Sequence, residues 1–305
     1  MYSKVLIPLD GSAFAERVLA HVERLISSQD CELILLRVVV PSEHIVSPET
    51  VATLGTVDLS GLLEHAERYL AQIRGEMREM GIRARTKVAQ GDVASAVCDT
   101  ADAQQVDLIA MTTHGRSGLG RWAYGSVADR VIRTANQPVF LIRPTTEIPP
   151  DGGVRRILVP LDGSPLAERA LAPATALAQD WGAEVLLLQA INPLTDLEFA
   201  MIYASWESPD TVYAHRQTAA ERYLAEVQQN LRVAGVSSST LVDEGHAADL
   251  ILDTAEAEDV DAIVMSTHGR SGLSRWVYGS VADKVLREAT CPLLLIRAMG
   301  VNSDQ

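Results

Sequence analysis

The sequence predicts an α/β protein with two doubly wound parallel sheets, one per domain. Three observations lead there. Short apolar runs alternate with stretches of helical, amphipathic spacing. The apolar runs are near-continuous, as in strands covered on both faces. The whole order also occurs twice. Met111–Ser126, MTTHGRSGLGRWAYGS, returns as Met265–Ser280, MSTHGRSGLSRWVYGS, with one offset for the histidine and the closing glycine. Across Met111–Arg143 and Met265–Arg297 roughly two-thirds of aligned positions match. A chain of 305 residues suits two domains. The boundaries fall at residues 1–145, a linker at 146–153, residues 154–299 and a tail at 300–305. The stretch Thr145–Gly153, TTEIPPDGG, has linker composition.

Each element has its own signal. Ser3–Leu9 reads as a buried strand ahead of Asp10-Gly11-Ser12, and Ser12 starts a helix. Cys31–Val40 is a second apolar strand, and Pro41–Leu54 an irregular surface loop with two prolines. Leu59–Met80 is a long amphipathic helix with Gly81 as its C-cap. Ile82–Ala89 alternates like a strand and Val93–Gln104 is helical. Val106–Met111 is a strand, followed by the repeated loop, a helix over Val127–Ala135 and a last strand, Pro138–Arg143. The second half repeats this with strands at Arg156–Leu161, Glu184–Ile191, Ser237–Asp243, Val260–Val264 and Pro292–Arg297. Its helices are expected at Val212–Ala234, Ala247–Glu256 and Val281–Ala289, and Asn192–Thr211 is expected to be irregular.

Composition narrows the function. A net charge of −14 argues against a sequence-independent grip on nucleic acid or on an anionic membrane. No apolar run reaches membrane-spanning length. Three cysteines without CxxC spacing fit a reducing compartment and no metal site. The first strand begins almost at once, so a cytoplasmic chain without signal peptide is expected. There is no G-x-x-x-x-G-K-[ST], no G-x-G-x-x-G after the first strand and no H-E-x-x-H.

The repeated loop carries the chemistry. A strand feeds a Gly-rich loop, which feeds a helix N-terminus. Free backbone N–H groups and the positive end of the helix dipole then favour an anion. Ser126 and Ser280 are expected as N-caps that also offer a hydroxyl to phosphate. Arg116, Arg121, Arg130, Arg133 and Arg143 form a basic island beside Asp129, and Arg116 and Arg270 inside the loops are assigned to phosphate. The later arginines are assigned to the surface. Pro8 to Ser12 and Thr112 to Gly115 end two strands, as do Pro160 to Ser164 and Ser266 to Gly269. As neighbours where strand order reverses, they share one crevice. Asp10 or Asp162 then accepts ribose or base hydrogen bonds opposite the phosphate loop, and each also has a reading as a helix cap. His114 and His268 lack a supporting cluster, so no catalytic residue is assigned. Trp122 and Trp276 are read as packing residues.

These residues resemble universal stress protein (UspA-like) domains over nearly the whole chain. The family's nucleotide pattern is glycine, two residues, glycine, nine residues, glycine, then Ser or Thr. Gly115, Arg116 to Tyr124 and Gly125-Ser126 match it in the first half. Gly269, Arg270 to Tyr278 and Gly279-Ser280 match it in the second. Thr112 and Ser266 replace the first glycine, small hydroxylated residues that narrow the cradle. The resemblance implies a Rossmann-like, HUP-type sheet of five strands in the order 3-2-1-4-5. It implies ATP contacts from Pro8, Leu9, Asp10, Val38, Met111, Thr112, Gly115, Arg116, Gly125, Ser126 and Val127. In the second half it implies Pro160, Leu161, Asp162, Ala190, Met265, Ser266, Gly269, Arg270, Gly279, Ser280 and Val281. Val38 and Ala190 would stand beside the base. Mg²⁺ or Mn²⁺ would ride on the phosphates, because the loops lack a carboxylate set. The last strands would pair within the chain as a pseudo-dimer, or between chains as a homodimer. The expected role is an ATP-binding sensor in a stress response. The alternatives are slow ATP hydrolysis, with Asp10 or His114 orienting water, and a nucleotide-free interaction module.

Overall fold

The computed structural model describes residues 2–25, 31–40, 59–113, 125–143, 154–205, 208–267 and 279–297. Contacts divide the chain into two compact units, Met1–Thr146 and Glu147–Gln305.

Unit 1 opens with β1 (Lys4–Pro8), whose Val5, Leu6 and Ile7 are fully buried. Asp10 Oδ1 then accepts the Ser12 N–H at 2.9 Å, and Ser12 Oγ accepts the Ala15 N–H at 3.2 Å. Gly11, at φ +75°, supplies the left-handed turn between them. That turn launches α1 (Ala13–Leu25). β2 (Glu32–Val39) follows, then α2 (Leu59–Glu79), which buries Ala66, Leu70, Ile73 and Met77 along one stripe. Gly81 ends α2 at φ +78°. Its N–H bonds the Arg78 carbonyl at 3.0 Å and the Ile82 N–H bonds that of Met77 at 2.9 Å. β3 (Arg83–Gln90), α3 (Val93–Gln104), β4 (Leu108–Thr112), α4 (Ser126–Thr134) and β5 (Val139–Ile142) complete the unit. All pairs are parallel: β1 with β2 and β4, β2 with β3, and β4 with β5. The order is therefore β3-β2-β1-β4-β5, reversing between β1 and β4.

Unit 2 repeats the plan with β6 (Arg156–Pro160), α5 (Leu171–Trp181), β7 (Glu184–Ile191), α6 (Asp196–Ala204) and α7 (Pro209–Val233). β8 (Ser238–Glu244), α8 (Ala247–Ala257), β9 (Ala262–Ser266), α9 (Ser280–Glu288) and β10 (Leu293–Ile296) follow. β6 pairs with β7 and β9, β7 with β8, and β9 with β10, all parallel. The first helix differs from its counterpart. A 3₁₀ turn over Ala167–Ala170 precedes α5, because Pro173 has no N–H to bond the Arg169 carbonyl one turn back.

The sequence reading missed α6, which lies within the stretch expected to be irregular. Its apolar residues lack helical periodicity, and only Ile202 is buried. Its start is nonetheless marked by Thr195 and Glu198, a reciprocal capping box. Arg216 Nη2 donates to Glu198 Oε1 at 2.6 Å and ties α6 to α7. The Thr195 N–H and then Arg216 hold the Glu198 carboxyl at about 2. Trp206, the linker 146–153 and the loop Pro41–Leu54 lie outside the described residues.

Candidate functional site

The crevice of unit 2 is built from four strand and helix ends. β6 delivers Pro160, Leu161 and Asp162. β7 delivers Leu188, Gln189 and Ala190, with Asn192 just beyond. β9 delivers Met265, Ser266 and Thr267. Gly279, Ser280, Val281 and Ala282 begin α9. Ala167, Ala247 and Ile251 complete the lining of one cavity of about 310 Å³. Ser266 is buried in its wall, and the cavity stays open beside it.

The N-terminus of α9 defines what this wall offers. Gly279 is the N-cap, in extended conformation, with no side-chain cap bond. Its carbonyl takes the first helical bond, from the Asp283 N–H at 3.0 Å. Ser280 is thus the first helical residue, not the cap expected from sequence, and in unit 1 Gly125 likewise caps α4 ahead of Ser126. Serine's hydroxyl favoured it in the sequence reading, but the backbone turns helical one residue earlier. The N–H groups of Ser280, Val281 and Ala282 have no intrahelical acceptor, and all three residues line the cavity. Gly279 has φ −59°, which any residue adopts. Among the described residues a Cβ there would meet only the Thr267 carbonyl oxygen, at 3.8 Å. Neither backbone strain nor packing against the described residues requires this glycine.

Both Gly-rich loops are closed at the base. The Gly125 N–H donates to the Thr113 carbonyl at 2.6 Å and the Gly279 N–H to that of Thr267 at 3.1 Å. The residues between, with Gly115, Arg116, Gly269, Arg270, His114, His268, Trp122 and Trp276, lie outside the described residues.

Asp162 lines the same cavity. Its Oδ1 accepts the Ser164 N–H at 2.9 Å, and Ser164 Oγ accepts the Ala167 N–H at 3.1 Å. The same arrangement holds at Asp10, so Ser12 and Ser164 carry the capping role and the carboxylates organise the turns before them.

In unit 1, Pro8, Leu9, Asp10, Val38, Met111 and Thr112 occupy the carboxyl ends of β1, β2 and β4 or the residues just past them. Ser126 and Val127 line a cavity of about 380 Å³ with Val40, Asp92, Val93, Ala94 and Arg130. The two crevices differ in charge at one register position. Arg37, the counterpart of Gln189, donates from Nη1 to the Leu9 carbonyl at 3.2 Å. Its guanidinium is 3.9 Å from where a Cβ on Gly11 would stand. Nearby, Tyr69 donates to Glu16 at 2.8 Å, a bond repeated by Tyr223 and Glu168 at 3.0 Å. Burial, and then the Glu16 hydrogen bond, push the Tyr69 hydroxyl well above its ordinary range.

Unit 2 thus gathers Pro160, Leu161, Asp162, Ala190, Met265, Ser266, Gly279, Ser280 and Val281 around one cavity. Sequence reasoning placed Thr267 in the crevice-forming strand end and missed Ala167, Leu188, Gln189, Asn192, Ala247, Ile251 and Ala282. Period-two alternation from Ala190 pointed to Leu188 and Asn192. The small residues opening α8 and α9 carried no signal of their own.

Among the described residues no group of three His, Cys, Asp or Glu side chains could hold a metal ion. No described helix is long and apolar enough to cross a membrane.

Relatives share this plan. A universal stress protein of Mycolicibacterium smegmatis is 26% identical over 299 residues, covering 96% of both chains. A universal stress protein of Thermus aquaticus is 35% identical over 144 residues, 47% of this chain and 98% of its own. The crystal structure of a universal stress protein from Archaeoglobus fulgidus superposes with a TM-score of 0.71 at 18% identity, covering 97% of this chain and 96% of that one, a likeness of fold. The model of the universal stress protein family matches residues 1–143 and again 153–297, and the chain belongs to that family as a tandem of two such domains.

Proposed function

We propose that this protein binds ATP and couples its occupancy to a stress response. The observation that carries the reading is the 310 Å³ cavity of unit 2, where uncapped helix N–H groups face a crevice that also holds Asp162. The N–H groups of Ser280, Val281 and Ala282 suit phosphate oxygens. Gly269 and Arg270 would complete that cradle. Asp162 accepts from ribose hydroxyls or the base, and Leu161, Leu188 and Ala190 supply an apolar wall for the base. Mg²⁺ or Mn²⁺ would ride on the phosphates and neutralise part of their charge. Unit 1 is assigned the same ligand through Asp10, Val38, Gly115, Arg116, Gly125 and Ser126. The protein is assigned to the cytoplasm, on its sparse cysteines.

Calorimetry with ATP and Mg²⁺ tests the reading. Saturable heat and a raised melting temperature support it. No heat and no thermal shift would reject it and leave the nucleotide-free interaction module. Phosphate release above the buffer rate would instead assign slow hydrolysis. Pairing of the last strands, within a chain or between two, belongs to the same proposal. Light scattering at twice the 33.0 kDa chain mass would support the homodimer, and a single-chain mass would exclude it.

A further inference from the structure

Unit 1 carries a second basic recess at the other end of its sheet. A cavity of about 620 Å³ opens where β2 and β3 begin and α2 ends, and Arg74, Arg78 and Arg83 line it with Glu32. Glu32 and Arg83 are register partners at the first residues of their strands. The nucleotide crevice lies at the carboxyl ends, roughly 25 Å away along an eight-residue strand.

The charges here are unbalanced. Glu32 already receives Arg85 Nε at 2.7 Å. Arg74 and Arg78 stand one turn apart on α2 and repel each other. Among the described residues neither guanidinium has an ion-pair partner. Gly75 lies between them in a helix interior, where glycine is unfavourable by about 1 kcal/mol relative to alanine. Among the described residues a Cβ on Gly75 would meet nothing within 4 Å. Packing against them does not demand this glycine, and it leaves the recess open, whereas Gly81 is already required by its left-handed φ.

Unit 2 provides an internal control. Positions 74, 75, 83 and 85 correspond there to Gln228, Gln229, Ser237 and Ser239. Gln228 Nε2 donates to the Ser238 carbonyl at 2.6 Å, and Ser239 Oγ donates to Glu184 at 2.6 Å. There the carboxylate at the strand start, Glu184, holds that serine and Arg156 Nη2 at 3.3 Å, and glutamine and serine stand where unit 1 has Arg74 and Arg83. Only Arg232, the counterpart of Arg78, remains, and each of these two complements the C-terminal end of its helix dipole. The dipole does not account for Arg74, one turn further into the helix, and Arg85 is held by Glu32.

We propose that this recess binds a small phosphate-bearing anion, independently of the nucleotide crevice. Guanidinium forks from a helix and a strand converge on it, which suits a group with several oxygens. A planar carboxylate is satisfied by one guanidinium fork. The volume admits a di- or triphosphate group.

The test uses the full chain with inorganic tripolyphosphate, followed by hydrogen exchange and calorimetry. The expected result is protection of residues 71–84, with affinity falling about tenfold in Arg74→Gln/Arg78→Gln. Arg83→Ser, which copies unit 2, should weaken binding in the same direction. Gly279→Val, in the crevice, should leave this protection unchanged. The three arginines are exposed and Gly279 is a helix cap, and melting curves confirm that the variants fold. Protection confined to 125–127 and 279–282, or none, would overturn the proposal. Equal protection by hexaglutamate would overturn the choice of phosphate. Failure of ATP to bind the crevice leaves this result untouched, so the two readings stand or fall separately.

Discussion

Arg130 Nη1 stands 2.7 Å from Asp92 Oδ2, joining the cap of α3 to the helix that begins at the Gly-rich loop of unit 1. The same carboxylate caps α3, accepting the Ser95 N–H at 3.0 Å. Unit 2 keeps the tie with different residues. His246 makes no side-chain cap bond there, and Lys284 pairs with Asp249 one turn into α8. The two crevice helices are thus anchored to their neighbours by ion pairs at non-equivalent positions.

This pair makes stability depend on acid. The Ser95 N–H, and then Arg130, hold the Asp92 carboxyl at about 2, below its usual 3.8. A depressed carboxyl stabilises the fold above its unfolded value and loses that contribution as pH falls toward 2. Asp92→Ala should cost about 1 kcal/mol at pH 7, mostly the lost cap, since the ion pair is half-exposed. Urea unfolding should show the gap between variant and parent shrinking from pH 5 to pH 2. A gap constant across that range would contradict the assignment.

Gly279→Val should separate binding from folding. The backbone at 279 admits any residue, and among the described residues its surroundings have room. The expected cost is about 1 kcal/mol, because valine is a poor N-cap. ATP affinity should fall about tenfold or more, as the branched side chain occupies the space beside the helix N–H groups. Parallel calorimetry and melting curves decide it, and undiminished affinity would remove the phosphate from this wall.

Asp162→Asn keeps an oxygen for the Ser164 N–H and should leave the melting temperature unchanged. It removes a charged acceptor from the crevice, so ATP should bind about tenfold more weakly. Asp10→Asn is the matching change in unit 1, beside the Arg37 guanidinium. Titrating both variants shows how each crevice contributes to the total.

Leu70 and Leu224 occupy equivalent, fully buried positions on α2 and α7. Truncation of either to alanine removes buried methyl groups and leaves a cavity, at an expected cost of about 2–5 kcal/mol. Denaturant titration checks this. A cost near zero for one of them would show that its unit repacks freely.

Much of the architecture was legible because it rests on local chemistry. Val5 to Ile7 and Leu33 to Leu36 read as strands covered on both faces, and they are buried. Gly81 read as a stop, and it adopts the left-handed turn that ends α2. α6 was not legible, because a capping box is a weak signal beside absent periodicity. The cap residue shifted from Ser280 to Gly279, because helix onset depends on backbone geometry that a residue type only biases. Gln189, Ala247 and Ile251 were not legible as cavity residues, since nothing in their residue types marks a site and only the fold brings them to the cavity.

By itself the sequence determined the alternation of strand and helix, the tandem repeat and the two strand tips with their Gly-rich loops. These follow from periodicity, turn chemistry and repetition, all readable over a few residues. Only the tertiary structure decided that Asp162, Ala190, Ser266 and Ser280 line one space, and that Arg74, Arg78 and Arg83 of unit 1 line one basic recess. Both depend on parallel strand register, which brings residues dozens of positions apart to the same end of a sheet through crossovers whose length carries no information about where they land.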